Sequence, residues 1–582
     1  LLKAQKYLFV ILLCLSVAID AGAQCLTLPN VIQEQIASAD RIVEGKVLRQ
    51  ESRIGSDGTI YTSNIIEVHR IFKGQADAEI EVITEGGIVG DLMQIVTPSA
   101  NLQVGDYGLI ELDDDAFRGI RSLAIGFYPI DAKSGTVYSL KNIVHRDELY
   151  EMIHRTVGQS SVQLIQSGSM QPSGQRSTPQ IADIQPLSVT AGTRSVLTIT
   201  GQGFGNEQGS GFVAFRNAND GGQSFVAVSS GPHYLSWSDT EVRMYVPSTS
   251  LYTSTVAGTG EIRVVNDAGN FEQSTQLVHV AFAQSEVVYS EVLNETELVG
   301  MQEGGYLFHK NPALQSLMGG LPMVKNALEK WSCNTRVNFD LSEELSNQAS
   351  FANDGINLVG LSESGQLPSY MLGRTLTTFS GCGTGSGGIQ WNLIEVDILM
   401  NGDMNWWTSD LPPMANSFDL TTALLHELGH AHLLQHNSHV NSPMYFQLTS
   451  GTMKRELNSE SDIEGGNHVT ELSVASALTC SYPEHEFQEV NDCDLSQING
   501  LDEQTKVDVV AYPNPFSDLL EIKGDWEGQA KFSVVDALGR EIIAGPISAG
   551  VQSIDTSRFS NGFYLLQVSD ERGPQAIRLL KN

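Results

Sequence analysis

Residues 423–436 read Ala-Leu-Leu-His-Glu-Leu-Gly-His-Ala-His-Leu-Leu-Gln-His, and no other stretch restricts the fold as much. Asp419 is a helix-capping residue type placed just ahead of Leu420, Ala423, Leu424 and Leu428, whose spacing is helical, and no proline interrupts them. At about 100° per residue, His426 and His430 lie about 40° apart and one turn along the helix, so both imidazoles reach the same side. Two imidazoles so placed can share one Zn2+ at about 2.0 Å. Glu427 beside them is positioned to take a proton from metal-activated water rather than to bind the metal. His436 comes six residues after His430. A continuing helix would swing it about 240° away from the metal face, so the helix must end first if His436 is the third ligand.

These positions match the metzincin motif HExxHxxGxxH, and the stretch resembles that family of zinc peptidases. In metzincins a glycine with positive φ turns the chain so that the third histidine returns to the zinc; here Leu433 stands at that position. A residue other than glycine holds such a conformation at about 1–2 kcal/mol. Eight residues past His436 comes Met444, within Asn441-Ser-Pro-Met-Tyr-Phe446. It resembles the Met-turn beneath the metzincin zinc, with a spacing closest to the matrixin branch. Val396-Asp-Ile-Leu-Met400, Trp406-Trp407 and Phe418-Asp-Leu-Thr-Thr422 resemble the matrixin edge strand, aromatic loop and active-site helix. Lys454-Arg-Glu-Leu457 and Ser461-Asp-Ile-Glu-Gly465 resemble the start of the final helix.

The resemblance covers residues 285–480. It implies an α+β catalytic domain, Zn2+ on His426, His430 and His436, and Glu427 as the general base of a secreted endopeptidase. The protein or peptide substrate would lie extended along residues 397–400, held by backbone hydrogen bonds. A rival geometry takes its third ligand from the acidic cluster Glu456, Glu460 and Glu464. In that gluzincin-like arrangement the helix runs on and Glu460 binds the metal, which leaves Met444 unexplained. His432, His439 and His468 are expected at the surface or behind the ligands. No matrixin-type cysteine-switch segment precedes the region, so latency would use another group, with Cys25 one candidate.

The N-terminus has the order of a secretory signal peptide: Lys3 and Lys6, an apolar run from Tyr7 to Ile19, and Ala21-Gly-Ala23, with cleavage expected after Ala23. The run is shorter than the roughly 20 residues a spanning helix needs, and none like it recurs, so no transmembrane segment is expected. Cys14 leaves with the signal, and Cys25, Cys333, Cys382, Cys480 and Cys493 remain. An exported chain meets oxidising conditions. Neighbourhood along the sequence suggests Cys333 with Cys382 and Cys480 with Cys493, with buried free thiols an equal alternative for the first pair.

With 582 residues the chain is too long for a single core, and about 150 residues per domain suggests roughly four. Lys and Arg number 34 against 68 Asp and Glu, a net charge of −34, which argues against nucleic acid or anionic lipid as a partner. Residues 25–158 alternate apolar and polar in short runs, as in Glu79-Ile-Glu-Val-Ile83, and predict a small antiparallel sandwich or barrel acting as a propeptide, an accessory or a purely structural domain. A Ser, Gln, Gly and Pro-rich linker fills 159–180. Residues 181–283, with Ala191-Gly-Thr-Arg-Ser-Val-Leu-Thr-Ile-Thr-Gly201, the turn Gly203-Phe-Gly205 and Trp237-Ser-Asp-Thr240, resemble the IPT/TIG family of immunoglobulin-like sandwiches. No helix pattern follows Gly205, so this turn is not read as a dinucleotide loop.

After an acidic linker, 481–506, residues 507–582 carry Ala511-Tyr-Pro-Asn-Pro-Phe516, Asn561-Gly-Phe-Tyr-Leu-Leu-Gln567 and Lys581. They resemble the type A sorting domain of the type IX secretion system, which implies that machinery as a partner and an address outside the cell or on its surface. The expected architecture is multidomain: an α+β metzincin-like catalytic domain flanked by all-β sandwich or barrel domains. The alternative function is a cell-surface adhesion or carbohydrate-binding protein whose metal domain is minor or inactive. Glu427 discriminates the two, since a binding protein needs no general base.

Overall fold

The computed structural model describes residues 22–24, then with short gaps 36–165, 178–476 and 486–490, and with gaps 510–581. The chain divides into two compact units, Leu1–Cys493 and Asp494–Asn582. The expected signal peptide lies outside the described residues apart from Gly22 and Ala23. These open a strand, Gly22–Gln24, that pairs antiparallel with Gln447–Thr449.

In the N-terminal region the alternating runs form a closed barrel. Ile60–Lys73 pairs with Arg41–Ile54, which continues through Tyr107–Asp113, Leu123–Pro129 and Glu79–Glu85 back to Ile60–Lys73. The helix Arg146–Val157 covers it with Leu149 and Ile153, and part of the expected linker, Val162–Gln163, adds a strand. Two strands leave this pattern: Leu92–Thr97 pairs with a strand of the downstream region, and Gly87–Val89 pairs with Leu92–Thr97.

Residues 180–283 make a sandwich. One sheet runs Gln180–Gln185, Val196–Gln202, Glu241–Tyr245, Tyr234–Trp237; facing it lie Phe225–Val228, Phe212–Asn217 and Thr255–Val265. Leu197, Ile199, Phe215, Val242 and Val264 fill the space between. Gly203 and Gly205 hold positive φ, as their role in a turn requires.

The next region is a mixed sheet with helices. Its strands stand in the order Phe339–Leu345, Tyr306–Lys310, Asn357–Leu361, Ile389–Met400, Gly373–Gly383; neighbours are parallel up to Ile389–Met400, and the last strand is antiparallel. The helices Gly320–Thr335 and Leu420–Ala431 are locked together, with Trp331 Nε1 donating to the Leu425 carbonyl at 2.9 Å. Trp331, Val324, Leu424, Leu428, Val396 and Ile398 belong to the largest core.

This order corrects one expectation. Residues 397–400 are not an edge, because they pair with 358–361 on one side and 373–376 on the other. Both faces are buried, with Val396, Ile398 and Met400 in the main core and Leu399 in a smaller one, so the run Val396-Asp-Ile-Leu-Met400 is nearly all apolar whether its strand is an edge or not. Its one charged residue, Asp397, is fully buried and accepts the backbone N–H of Ala352 at 2.9 Å and of Leu358 at 3.1 Å. The outer strands of this five-stranded set are Phe339–Leu345 and, next to residues 397–400, Gly373–Gly383.

The second unit is a sandwich of its own, with three antiparallel strands (Val510–Tyr512, Leu519–Gly524, Gly550–Asp555) and four (Glu541–Ile547, Ala530–Asp536, Gly562–Asp570, Gly573–Lys581). Phe516, Leu520, Phe532 and Leu566 are in its core, and the Lys581 ammonium donates to the Ser517 carbonyl near the Phe516 ring.

Candidate metal centre

The motif helix starts where the sequence placed it. Asp419 is extended, and its carboxylate accepts the Thr422 N–H at 2.9 Å and the Thr422 hydroxyl at 2.7 Å. Arg455 Nε donates to the same carboxylate at 3.0 Å, so the buried charge is paired. The helix stops after Ala431, and Leu433 takes φ +62°, the left-handed conformation expected of glycine. Neighbouring backbone holds this turn. Leu433 O accepts the Ser285 N–H at 2.8 Å and the Gln435 N–H donates to Ala283 O at 2.8 Å. Ala283 ends the strand His279–Ala283 and Ser285 follows two residues on, where the sandwich leads into the sheet.

The turn brings His436 back to His426 and His430. The His430 and His426 Nε2 atoms lie 3.1 Å apart, and His436 Nε2 lies 3.3 Å from His426 Nε2. All the ligand atoms of the three residues fall within 4.8 Å of one another. On each ring Nδ1–H donates to an oxygen: His426 to Pro443 O at 2.8 Å, His430 to Leu434 O at 2.9 Å, His436 to Asn219 Oδ1 at 2.8 Å. That fixes the tautomer, so three Nε2 lone pairs face one point. Burial is the main cause that pushes the His426 imidazole down to about 3 and His430 to about 4, and His436 is likewise driven well below the usual range. Three neutral, converging, buried imidazoles are the donor set of a Zn2+ ion, and the residues fit the metal.

Met444 is buried, 1% exposed, and packs against the motif helix at Gly429. A Cβ added at Gly429 would come within 2.0 Å of Met444 Sδ, so the glycine inside the helix lets the methionine pack against it. Its signal was present in the sequence as a glycine within an otherwise helical pattern. Glu427 is fully buried, and its Oε2 accepts the Thr375 hydroxyl at 2.6 Å from the strand Gly373–Gly383. Thr375 and Asn219 carry no local signal, because each reaches the site from a distant part of the chain.

Glu460 is exposed and stands outside the histidine group. His432 is not at the surface: it is fully buried, with Nε2 2.9 Å from the Thr335 hydroxyl and its ring against the Trp331 edge. His439 packs against His279 and His468 against Phe282. Cys333 and Cys382 are both disulfide-bonded. Cys25, Cys480 and Cys493 lie outside the described residues.

Comparison with known families identifies two modules. Residues 179–280 match the IPT/TIG domain, and residues 510–582 match the secretion system C-terminal sorting domain. No curated protein matches the chain. The chain is therefore a multidomain, strand-rich protein whose sorting domain directs it across the outer membrane, to be secreted or held at the cell surface. Among the described residues no helix is long and apolar enough to cross a membrane.

Proposed function

We propose that this secreted protein is a zinc-dependent endopeptidase that hydrolyses peptide bonds in proteins. The observation that carries the reading is the convergence of His426, His430 and His436 through Nε2 with every Nδ1 engaged, beside the buried carboxylate of Glu427. A zinc ion held there supplies Lewis-acid chemistry, polarising the scissile carbonyl and acidifying water. Glu427 accepts the proton of the attacking water on its carboxylate and delivers it to the leaving nitrogen. The Thr375 hydroxyl orients that carboxylate through Oε2, and Met444 under Gly429 fixes the floor of the pocket.

The test uses protein lacking residues 1–23, with a reduced and alkylated protein as substrate, both intact and after limited proteolysis. It should bind one equivalent of zinc and cleave in at least one of these forms. Glu427→Gln should keep the zinc and lose about 10²-fold or more in rate. His436→Ala should lose zinc, and Glu460→Ala should keep it. Zinc-loaded protein that cleaves in neither form would leave the adhesion reading standing.

A further inference from the structure

We infer that the IPT/TIG module is part of the metal centre, with Asn219 as a positioning residue for His436; this rests on the zinc reading above. Asn219 sits in the short turn Ala218–Asp220, whose preceding residue Asn217 accepts the Asn219 N–H at 3.0 Å. The turn is pressed onto the segment after Met444, since a Cβ at Gly221 would lie 2.5 Å from the Tyr445 hydroxyl. From there Asn219 Oδ1 accepts the His436 Nδ1–H. The same module supplies Ala283 O, which together with Ser285 holds the turn around Leu433. Thus the ligand farthest from the helix is oriented by a neighbouring module, whereas the other two are oriented by carbonyls of their own region.

The test measures zinc dissociation constants by competition with a chromophoric chelator, alongside circular dichroism. Asn219→Ala should weaken zinc binding about 10–100-fold while the fold is kept. Asn219→Asp, which keeps the acceptor, should stay within a few-fold of the parent. A folded Asn219→Ala protein with parental zinc affinity overturns the inference and leaves the zinc reading intact; a parent that binds no zinc sinks the zinc reading itself.

A separate observation concerns access to the site, and it also rests on the proposed function. Thr375, the partner of Glu427, lies near the start of the outer strand Gly373–Gly383, the edge beside the motif helix to which an extended peptide could add. That edge is taken. Leu92–Thr97 of the N-terminal region pairs antiparallel along residues 375–380, and Thr97 stands opposite Thr375. Gln94 Nε2 donates to the Thr378 hydroxyl at 3.2 Å, and Glu85 pairs with Arg374. We propose that the N-terminal region is a built-in inhibitor that occupies the substrate's edge, and that cleavage of proteins requires Leu92–Thr97 to leave it.

Ile95 and Thr377 are cross-strand neighbours. An Ile95→Cys, Thr377→Cys pair, oxidised, should cleave the reduced and alkylated substrate at least 10-fold more slowly than its reduced form at equal zinc content. Glu85→Ala should speed cleavage. In the Glu427→Gln protein, adding that substrate should raise hydrogen exchange at amides 92–97. A locked protein as fast as the reduced one, or unchanged exchange, overturns this inference; absence of cleavage in every form, including the nicked one, overturns the proposed function with it.

Discussion

Leu433 shows how two opposing energies decide a single position. Its left-handed backbone costs about 1–2 kcal/mol relative to glycine. Its side chain, 1% exposed in the main core, is worth more: truncating a buried leucine costs roughly 2–5 kcal/mol. Burial therefore wins, and Leu433→Gly should lower stability by about 1–3 kcal/mol despite relieving the backbone. Leu433→Ala should lose more, since it keeps the strain and forfeits the packing. Urea midpoints of the three proteins check this; a glycine variant more stable than the parent would mean that strain dominates. His426, Glu427 and His430 were legible because one helix of known pitch relates them. The departure at Leu433 was readable only as a cost, because Ser285 and Ala283, which hold the turn, lie far upstream. Asn219 was invisible for the same reason.

Among the elements, the motif helix was legible at its start, where Asp419 caps it, and the interior strand Ile389–Met400 was not. Its final residues are apolar enough for either an edge or a centre, and only the two ladders settle which. That strand also carries Glu395, 2% exposed, whose carboxylate accepts the N–H of Gly355 at 2.6 Å and of Asp354 at 3.2 Å. Burial, reinforced by the Asp354 charge, raises it from 4.5 to about 7, and Asp397 two residues on is raised as well. Between pH 4.5 and about 7 the folded chain keeps a proton on Glu395 that the unfolded chain has released. Stability from this group is thus complete below about 4.5 and declines as pH rises through about 7, each tenfold difference in proton affinity between the folded and unfolded chain being worth about 1.4 kcal/mol. Glu395→Gln cannot release the proton. The parent should lose stability relative to this variant as pH is raised from 5 to 8, as followed by urea midpoints; a constant difference between the two would show that Glu395 titrates normally in the fold.

For the whole molecule, the IPT/TIG and sorting modules could be read from their motifs, since strand patterning and turn residues are local signals. What could not be read is which strand joins which sheet. Leu92–Thr97 falls between barrel strands in the sequence, yet it joins a sheet formed by residues hundreds of positions later. Pairing across such separations is selected by packing, which leaves no mark in either segment alone. The second unit involves no such exchange among the described residues: its strands pair only with one another, and Phe516, Leu520, Phe532 and Leu566 form a core separate from the one that supports the histidines. A chain ending at Cys493 should therefore bind zinc with the parent's affinity and unfold at the same urea midpoint. In its native host the same truncation should stop at the periplasmic side of the outer membrane, because the match to the sorting domain lies wholly within 510–582. Fractionation with zinc titration separates these two effects. Loss of zinc affinity on truncation would mean that the second unit supports the site, whereas arrival of the shortened chain in the medium would assign export to another segment.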